Sequence, residues 1–147
     1  MARLIIRSTG IRIKVVGMEN IKKNEPVIFV SNHQSLLDII LAMAFIPNNF
    51  NFISKESIFK FPVLGNFMRT SGHISLKREA GKKAYDTMVD TVNKLNTGKS
   101  LVLFPEGTRS IDGKLGAFKR GVSLLVVQAQ SKVVPMAIIG SANFLPK

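Results

Sequence analysis

Two polar side chains at the end of an apolar run could form a catalytic pair. His33 and Asp38 fall in segment 31–38, where the strand-like run 27–30 passes into a helical pattern. If both were helical, they would point about 140° apart and could not meet. If Ser35 caps the helix, however, His33 lies in the preceding loop and Asp38 in the first turn, within reach of the imidazole. The carboxylate would then orient the ring, and the other ring nitrogen would act as a general base.

The same segment also matches a helix-capping pattern. Ser35 and Asp38 have the spacing of a capping box, in which both side chains satisfy backbone N–H groups at the start of a helix. His33 would then be an ordinary loop residue. Since a cap does not exclude a catalytic pair, the spacing leaves both interpretations open.

A second polar segment follows the apolar run 101–104. Gly107 lets the backbone approach a ligand closely, and Thr108 offers a hydroxyl. Arg109 carries a planar guanidinium that suits phosphate. The alternative is a surface turn with a solvated arginine. Because ligand sites in α/β sheets favour the carboxyl ends of strands, the position favours a binding site.

Cations after two other short strands are weaker candidates. Lys77 and Arg78 follow the strand-like segment 74–76, and Lys55 follows 50–53. Charges in such positions are usually solvated, so these residues need support from elsewhere.

Strand-like and helical patterns alternate along the chain, which predicts an α/β fold with a mixed central sheet flanked by helices. A core strand is the favoured interpretation of the apolar segment around Val134 and Pro135, which could also line an apolar pocket. The expected strands are 11–16, 27–30, 50–53, 74–76, 101–104 and 133–139. The expected helices are 36–44, 80–95 and a mostly buried 118–128, with 57–68 a broken helix or loop.

Composition restricts the chemistry. The chain has 147 residues, about one domain by length, and carries 21 Lys and Arg against 9 Asp and Glu, a net charge of +12. An apolar content of 46% is typical of a packed core. A basic protein of this kind is expected to bind an anionic partner, either nucleic acid or an acidic membrane surface.

Several classes of site are excluded by what the sequence lacks. With no Cys, the chain has no disulfide, no thiolate nucleophile and no Cys-based metal site. Two His residues rule out a centre built on several imidazoles, so we expect no metal. The longest apolar run, 39–46, is far shorter than the roughly 18 residues of a membrane-spanning helix.

Taken in order, four segments resemble the four-block pattern of the glycerolipid acyltransferases. The forms NHQS and FPEGTRS are similar to those of the lysophosphatidate (1-acyl-sn-glycerol-3-phosphate) acyltransferases, and the resemblance covers residues 11–139. The blocks are Asn32-His33-x4-Asp38, Gly72-x-Ile74-x-Leu76-Lys77-Arg78, Phe104-Pro105-Glu106-Gly107-Thr108-Arg109-Ser110 and Val134-Pro135.

The resemblance implies transfer of a fatty acyl group from acyl-CoA or acyl carrier protein to the free hydroxyl of lysophosphatidate, giving phosphatidate, with no bound cofactor. It makes His33 the general base and Asp38 the residue that orients it. The implied binding residues are Glu106, Gly107, Thr108 and Arg109 for the acceptor phosphate and glycerol, Arg78 and Lys55 assisting, and Val134 and Pro135 bordering the acyl chain.

The resemblance also implies an organisation and a location. Residues 1–147 are expected to form a single catalytic domain that lacks the N-terminal membrane-docking segment and the C-terminal part usual in the family. The protein is expected at the cytoplasmic face of the membrane as a peripheral protein, with no transmembrane helix in this chain. The basic residues expected to meet anionic lipid are Arg3, Arg7, Arg12 and Lys14.

Two alternatives remain. A related enzyme could use glycerol 3-phosphate or another lysophospholipid, because the same residues would hold either phosphate. A basic nucleic-acid-binding module is suggested by charge alone. It is disfavoured because the chain has no Trp and one Tyr, whereas such modules stack bases on aromatic side chains.

Overall fold

A sheet of five parallel strands lies at the centre of the described part of the chain. The computed structural model describes residues 2–76 and 82–146, with side chains from Tyr85 onward in the second range. The strands are β1 Ile28–Ser31, β2 Phe50–Lys55, β3 Ile74–Leu76, β4 Ser100–Leu103 and β5 Val133–Met136. They stand in the order β3-β2-β4-β1-β5, and each pairing is parallel.

A helix follows each of the first four strands and returns the chain to the start of the next, as parallel pairing requires. These helices are α2 Leu37–Phe45, α3 Pro62–Thr70, α4 Lys82–Asn96 and α5 Arg120–Gln128, and α1 Ala2–Ser8 precedes the sheet. Short 3-10 turns cover Met18–Asn20, Glu56–Lys60 and Ser141–Asn143.

Both faces of the sheet are covered, because successive residues of a strand point to opposite sides. In β1, Ile28 packs into one core and Phe29 into the other. The central strands are therefore continuously apolar, as is typical of strands buried on both faces. The helices contribute Leu95, Val122 and Leu125 to the first core, and Ala42 and Met68 to the second.

The expected α/β fold with flanking helices is confirmed, and the five strands expected from residue 27 onward are present with small shifts in their ends. The sheet is parallel where a mixed one was expected. The physical reason is that every connection between consecutive strands contains a helix, which leaves no tight hairpin to reverse the strand direction.

The strand expected at 11–16 is wrong, since this stretch of the described chain has no strand. The alternation that suggested it is real: Ile11 and Ile13 are half-buried, whereas Arg12 and Lys14 are exposed. The segment lines a groove beside α2 without joining the edge of the sheet. An alternating apolar and polar pattern indicates only that one side of a segment is covered. The wall of a groove can cover that side as well as a sheet can.

Burial of the last helix was overestimated. The buried residues of α5 are Val122 and Leu125, whereas Leu124 and Val127 are exposed. Its apolar residues lie on more than one side, and a sequence pattern cannot say which side packs on the sheet.

The broken helix expected at 57–68 is a 3-10 turn followed by α3, with Pro62 in the first turn. Gly65 continues α3, and its N–H donates to the carbonyl of Phe61 at 2.7 Å. A Cβ at this position would overlap the backbone carbonyl of Phe59. The glycine therefore permits close packing of α3 on the preceding turn.

We expect Gly65→Ala to lower the free energy of unfolding by about 1–3 kcal/mol, because the added methyl group must displace backbone. Urea unfolding measures the change. Gly121→Ala in α5 is the matched control, since nothing lies within 4 Å of its Cβ position and alanine is the better helix former. Equal stability of the two variants would contradict the packing argument.

Candidate active site

The loops that follow β1 and β4 lie side by side at the carboxyl end of the sheet. The two strands pair in parallel, with Val30 opposite Leu103. The segments 32–36 and 104–110 therefore leave the sheet together. This adjacency brings two of the polar segments singled out in the sequence into one site.

The predicted pair is present. His33 Nδ1 lies 2.8 Å from Asp38 Oδ2, and the carboxylate also accepts the backbone N–H groups of Gln34 at 2.7 Å and Ser35 at 2.8 Å. The Ser35 hydroxyl accepts the N–H of Leu37 at 3.0 Å. The capping interactions and the histidine–aspartate pair thus coexist, and Asp38 belongs to both.

The Asp38 carboxylate is fully buried. Burial raises the pKa of Asp38, but the hydrogen bonds from His33 and from the backbone of Ser35 and Gln34 outweigh it, so the pKa lies below its ordinary value. The carboxyl is therefore charged at neutral pH and stabilises a protonated imidazole beside it. With Nδ1–H directed to Asp38, Nε2 of His33 carries the lone pair that can take a proton.

Three further contacts hold His33. Its ring stacks on Phe104, with centroids 4.0 Å apart and planes at 17°. Its backbone N–H donates to Glu106 Oε1 at 2.8 Å, and its carbonyl accepts the N–H of Ser110 at 2.8 Å. The side chain is 13% exposed, so the imidazole is both fixed in orientation and open to a substrate.

Glu106 joins two loops. Its carboxylate is 3% exposed, and its second oxygen accepts the N–H of Gly116 at 2.8 Å. With both oxygens on backbone N–H groups of His33 and Gly116, the carboxylate positions the site. The resemblance implied a substrate contact for this residue, and that contact stays a prediction beside the observed bonding.

Two lysine side chains lie close to Gly107, and we call the surroundings of this glycine the cationic recess. Gly107 has a positive φ of 65°, which favours glycine. The side chains of Lys119 and Lys55 pass close above it, since a Cβ here would lie 3.4 Å from Lys119 Cγ and 3.9 Å from Lys55 Cε. Thr108 and Arg109 continue the same turn, and Arg109 is half-buried. This arrangement suits a phosphate group.

An apolar groove of 710 Å³ runs beside α2. Val134 and Pro135 line it, as expected. The junction is fixed by Asn32, whose amide exchanges two hydrogen bonds of 2.8 Å with the backbone of Ile138. Ser141 lines the groove and also faces Asp38. The groove therefore approaches the pair from the Asp38 side.

The remaining predicted site residues divide as follows. Lys55 joins the recess, whereas Arg78 lies outside the described residues.

Among the described side chains, no group of three or more His, Asp or Glu could hold a metal ion. In the described ranges, no helix is long and apolar enough to cross a bilayer.

Sequence reasoning missed several members of the site. Lys119 and Ser141 lie outside the four blocks, and a lysine or serine in isolation carries no signal. Phe104 and Asn32 were noted as parts of motifs without a task. Their positions directly after β4 and β1 were the available signal, because side chains there face the site.

Comparisons with known proteins agree on one family. A family model described as Acyltransferase matches residues 12–139. The chain is 38% identical over 136 residues to a chloroplastic 1-acyl-sn-glycerol-3-phosphate acyltransferase of Arabidopsis thaliana, covering 92% of this chain and 38% of that one. It is 34% identical over 134 residues to the 1-acyl-sn-glycerol-3-phosphate acyltransferase of Helicobacter pylori, covering 90% and 55%.

A solved structure agrees as well. The crystal structure of the 1-acyl-sn-glycerophosphate acyltransferase PlsC from Thermotoga maritima matches with a TM-score of 0.72 and 35% identity, over 89% of this chain and 52% of that one. The chain thus spans about half the length of these relatives or less.

The lowered pKa of Asp38 makes a prediction about acid stability. The stabilisation is fully present above the unfolded pKa near 3.8 and is lost as the pH falls through the lower folded value. Asp38→Asn should reduce the free energy of unfolding at neutral pH by about 1–3 kcal/mol, since three donors lose a charged acceptor. The variant should then lose less further stability between about pH 5 and pH 3 than the wild type.

Urea unfolding across this pH range tests the prediction. Asp90→Asn is the control, because Asp90 is an exposed carboxylate on α4 and its removal should leave the pH profile close to wild type. An unchanged acid slope in Asp38→Asn would show that this carboxyl does not have a lowered pKa.

Proposed function

The chain belongs to the acyltransferase family, and on that premise we propose that it transfers a fatty acyl group from an acyl thioester to the free hydroxyl of 1-acyl-glycerol-3-phosphate, giving phosphatidate. The observation that carries the proposal is the histidine–aspartate pair, with the cations around Gly107 in the neighbouring loop and the apolar groove approaching Asp38 through Ser141. A phosphorylated acceptor with an acyl donor needs these three features together. Family membership favours this function over the nucleic-acid alternative.

The reaction follows from the pair. Nε2 of His33 takes the proton of the acceptor hydroxyl as its oxygen attacks the thioester carbonyl, and Asp38 stabilises the imidazolium. This attack forms the ester C–O bond and a tetrahedral intermediate, whose collapse restores the carbonyl and breaks the C–S bond. The imidazolium returns its proton to the departing sulfur. A thioester is already activated, so the scheme needs no covalent enzyme intermediate.

The recess over Gly107 suits the acceptor phosphate. Arg109 and Lys55 supply positive charge, and the hydroxyl of Thr108 a neutral donor, as the resemblance implied. Lys119 joins them in the proposal because its side chain runs over the same glycine. Arg78 remains a predicted helper on the strength of the motif. Positioning the phosphate here would hold the acceptor hydroxyl against His33, which supplies much of the rate in a two-substrate reaction.

The groove suits the acyl chain of the donor. Its volume of 710 Å³ falls in the range of ligand pockets. Its lining is mostly apolar, including Val134 and Pro135. It meets the site beside Asp38, next to the position that the thioester carbonyl must occupy. The donor itself is acyl-CoA or acyl carrier protein, and both carry phosphate that a chain of net charge +12 attracts.

We propose that the protein works at the cytoplasmic face of an anionic membrane as a peripheral protein, since the acceptor is an amphiphile and the chain is strongly basic.

Thiol release tests the catalytic proposal. Acyl thioester and lysophosphatidate should yield free thiol, which a thiol-reactive dye detects without background from this chain because it contains no Cys. His33→Ala should lower kcat by about 10²–10⁴, the usual contribution of a positioned base. His73→Asn, at the other histidine, should keep most of the activity.

Two outcomes would count against the assignment in different ways. Absence of thiol release with lysophosphatidate, glycerol 3-phosphate and other lysophospholipids alike would remove the enzyme proposal. Near-normal turnover of His33→Ala would remove the base. Release with glycerol 3-phosphate alone would move the acceptor to the related enzyme class.

Chain-length preference tests the groove. Val134→Phe should shift the preferred acyl thioester to shorter chains, because the larger ring fills part of the groove. Val133→Phe is the matched control, because Val133 is next to Val134 on β5 but is exposed and does not line the groove. Initial rates over a series of acyl-CoA lengths measure the shift. If Val134→Phe and Val133→Phe had the same chain-length profile, the acyl chain would bind elsewhere.

A further inference from the structure

One side of α3 exposes large apolar side chains to solvent. Phe61, directly before the helix, is 60% exposed and Val63 is 86% exposed. Leu64 and Phe67 are 48% and 53% exposed. We call these four residues the α3 patch. Single exposed apolar residues are ordinary, but four within seven residues form a continuous patch of the kind that marks an interaction surface.

The packing of α3 accounts for this exposure. Gly65 and Met68 form its buried side, and Met68 packs into the core on the sheet. The α3 patch lies on the adjoining side of the helix, and the apolar character therefore continues from the core out into solvent. Burial against the sheet satisfies one side of the helix and leaves the other without a covering element among the described residues.

The start of α3 lies at the same end of the sheet as the active site. The chain leaves β2 at Lys55, and α3 must carry it back to the amino end of β3, so the first turn of α3 is near the carboxyl ends of the strands. Lys55 itself reaches toward Gly107 in the recess. Phe61 and Val63 are therefore on the catalytic end of the molecule.

Charge around the α3 patch identifies the partner. Lys60 is exposed directly before the patch, and Arg69 on α3 is exposed while its guanidinium donates to the carbonyl of Phe59 at 2.6 Å. Glu56 is the acidic residue in segment 55–70. The chain as a whole carries +12. Apolar side chains between cations are the pattern of segments that lie in the interface of an anionic bilayer.

α1 and the segment around Leu145 lie away from α3. α1 packs on α2, where the Arg3 guanidinium donates to the carbonyl of Ala44 at 2.7 Å. The carbonyl of Leu145 accepts the Ser35 hydroxyl at 2.5 Å. Both contacts are on the β1 side of the sheet, whereas α3 covers the β2 side. Arg3, expected to meet lipid, is thus engaged with α2.

We propose that the α3 patch inserts into the interfacial region of an anionic bilayer and orients the catalytic end of the sheet toward the lipid. Binding of the α3 patch to the membrane does not depend on the proposed function. Its benefit for catalysis rests on the proposed function: an amphiphilic acceptor could reach His33 from the membrane without crossing water.

Vesicle co-sedimentation tests the binding step without any substrate. The protein should sediment with phosphatidylglycerol–phosphatidylcholine vesicles, and less in high salt or with phosphatidylcholine alone. Val63→Gln/Phe67→Gln should weaken the partition at least about tenfold, because two apolar side chains no longer leave water. Leu124→Gln/Val127→Gln on α5 is the matched control, since those side chains are 59% and 72% exposed on the other face of the sheet, and should partition like wild type.

Unfolding midpoints of both variants should stay close to wild type because all four positions are exposed. Wild-type partition of the α3 variant would overturn the proposal. So would a change in oligomeric state of the α3 variant with partition unchanged, since the patch would then be a contact between copies of the chain.

A second measurement separates this proposal from the proposed function. Thiol release with a water-soluble short-chain acceptor should be unchanged in the α3 variant, while release with acceptor embedded in vesicles should fall. If the α3 variant lost vesicle binding and no protein, wild type included, released thiol, the result would support the membrane surface and contradict the enzyme proposal. Equal loss on both acceptors would count against a membrane role for the patch.

Discussion

One buried carboxylate oxygen organises the candidate site at the carboxyl end of the sheet. Asp38 Oδ2 accepts hydrogen bonds from the backbone of Gln34 and Ser35 and faces His33 Nδ1 at 2.8 Å. Because a buried charge is costly unless hydrogen bonds compensate it, these three donors favour the loop conformation that brings them to Oδ2. The same bonds begin α2 and orient the imidazole. Folding of the helix start and assembly of the pair are therefore a single event.

A second buried carboxylate connects this loop to the next one. Glu106 binds the backbone of His33 on one side and of Gly116 on the other. Since β1 and β4 are neighbours in a parallel sheet, the two loops leave the sheet together and each provides the other with hydrogen-bond partners. The imidazole is held by the sheet through these contacts and through its stack on Phe104, and not by its own loop alone. Such support from a rigid scaffold is what a positioned base requires.

Much of the fold could be predicted because the signals are local. Continuous apolar runs marked the buried strands, and Ser35 with Asp38 marked the start of α2, each within a few residues of chain. The failures share a cause. The alternation at 11–16 described a half-covered segment without saying what covers it, and the groove wall that it forms depends on α2 and residues far along the chain. The apolar residues of α5 likewise gave no sign of which side would pack.

The sequence by itself determined the residue types of the site, the α/β class and the capping signal, because these depend on periodicity and on spacings of a few residues. The tertiary structure decided what those residues do. His33 meets Glu106 across 73 positions and Asn32 meets Ile138 across 106, distances that only strand order and register can close. For the same reason Lys119 entered the recess and Glu106 turned toward backbone: a side chain's partners are set by which strands lie adjacent, and that is a property of the folded sheet.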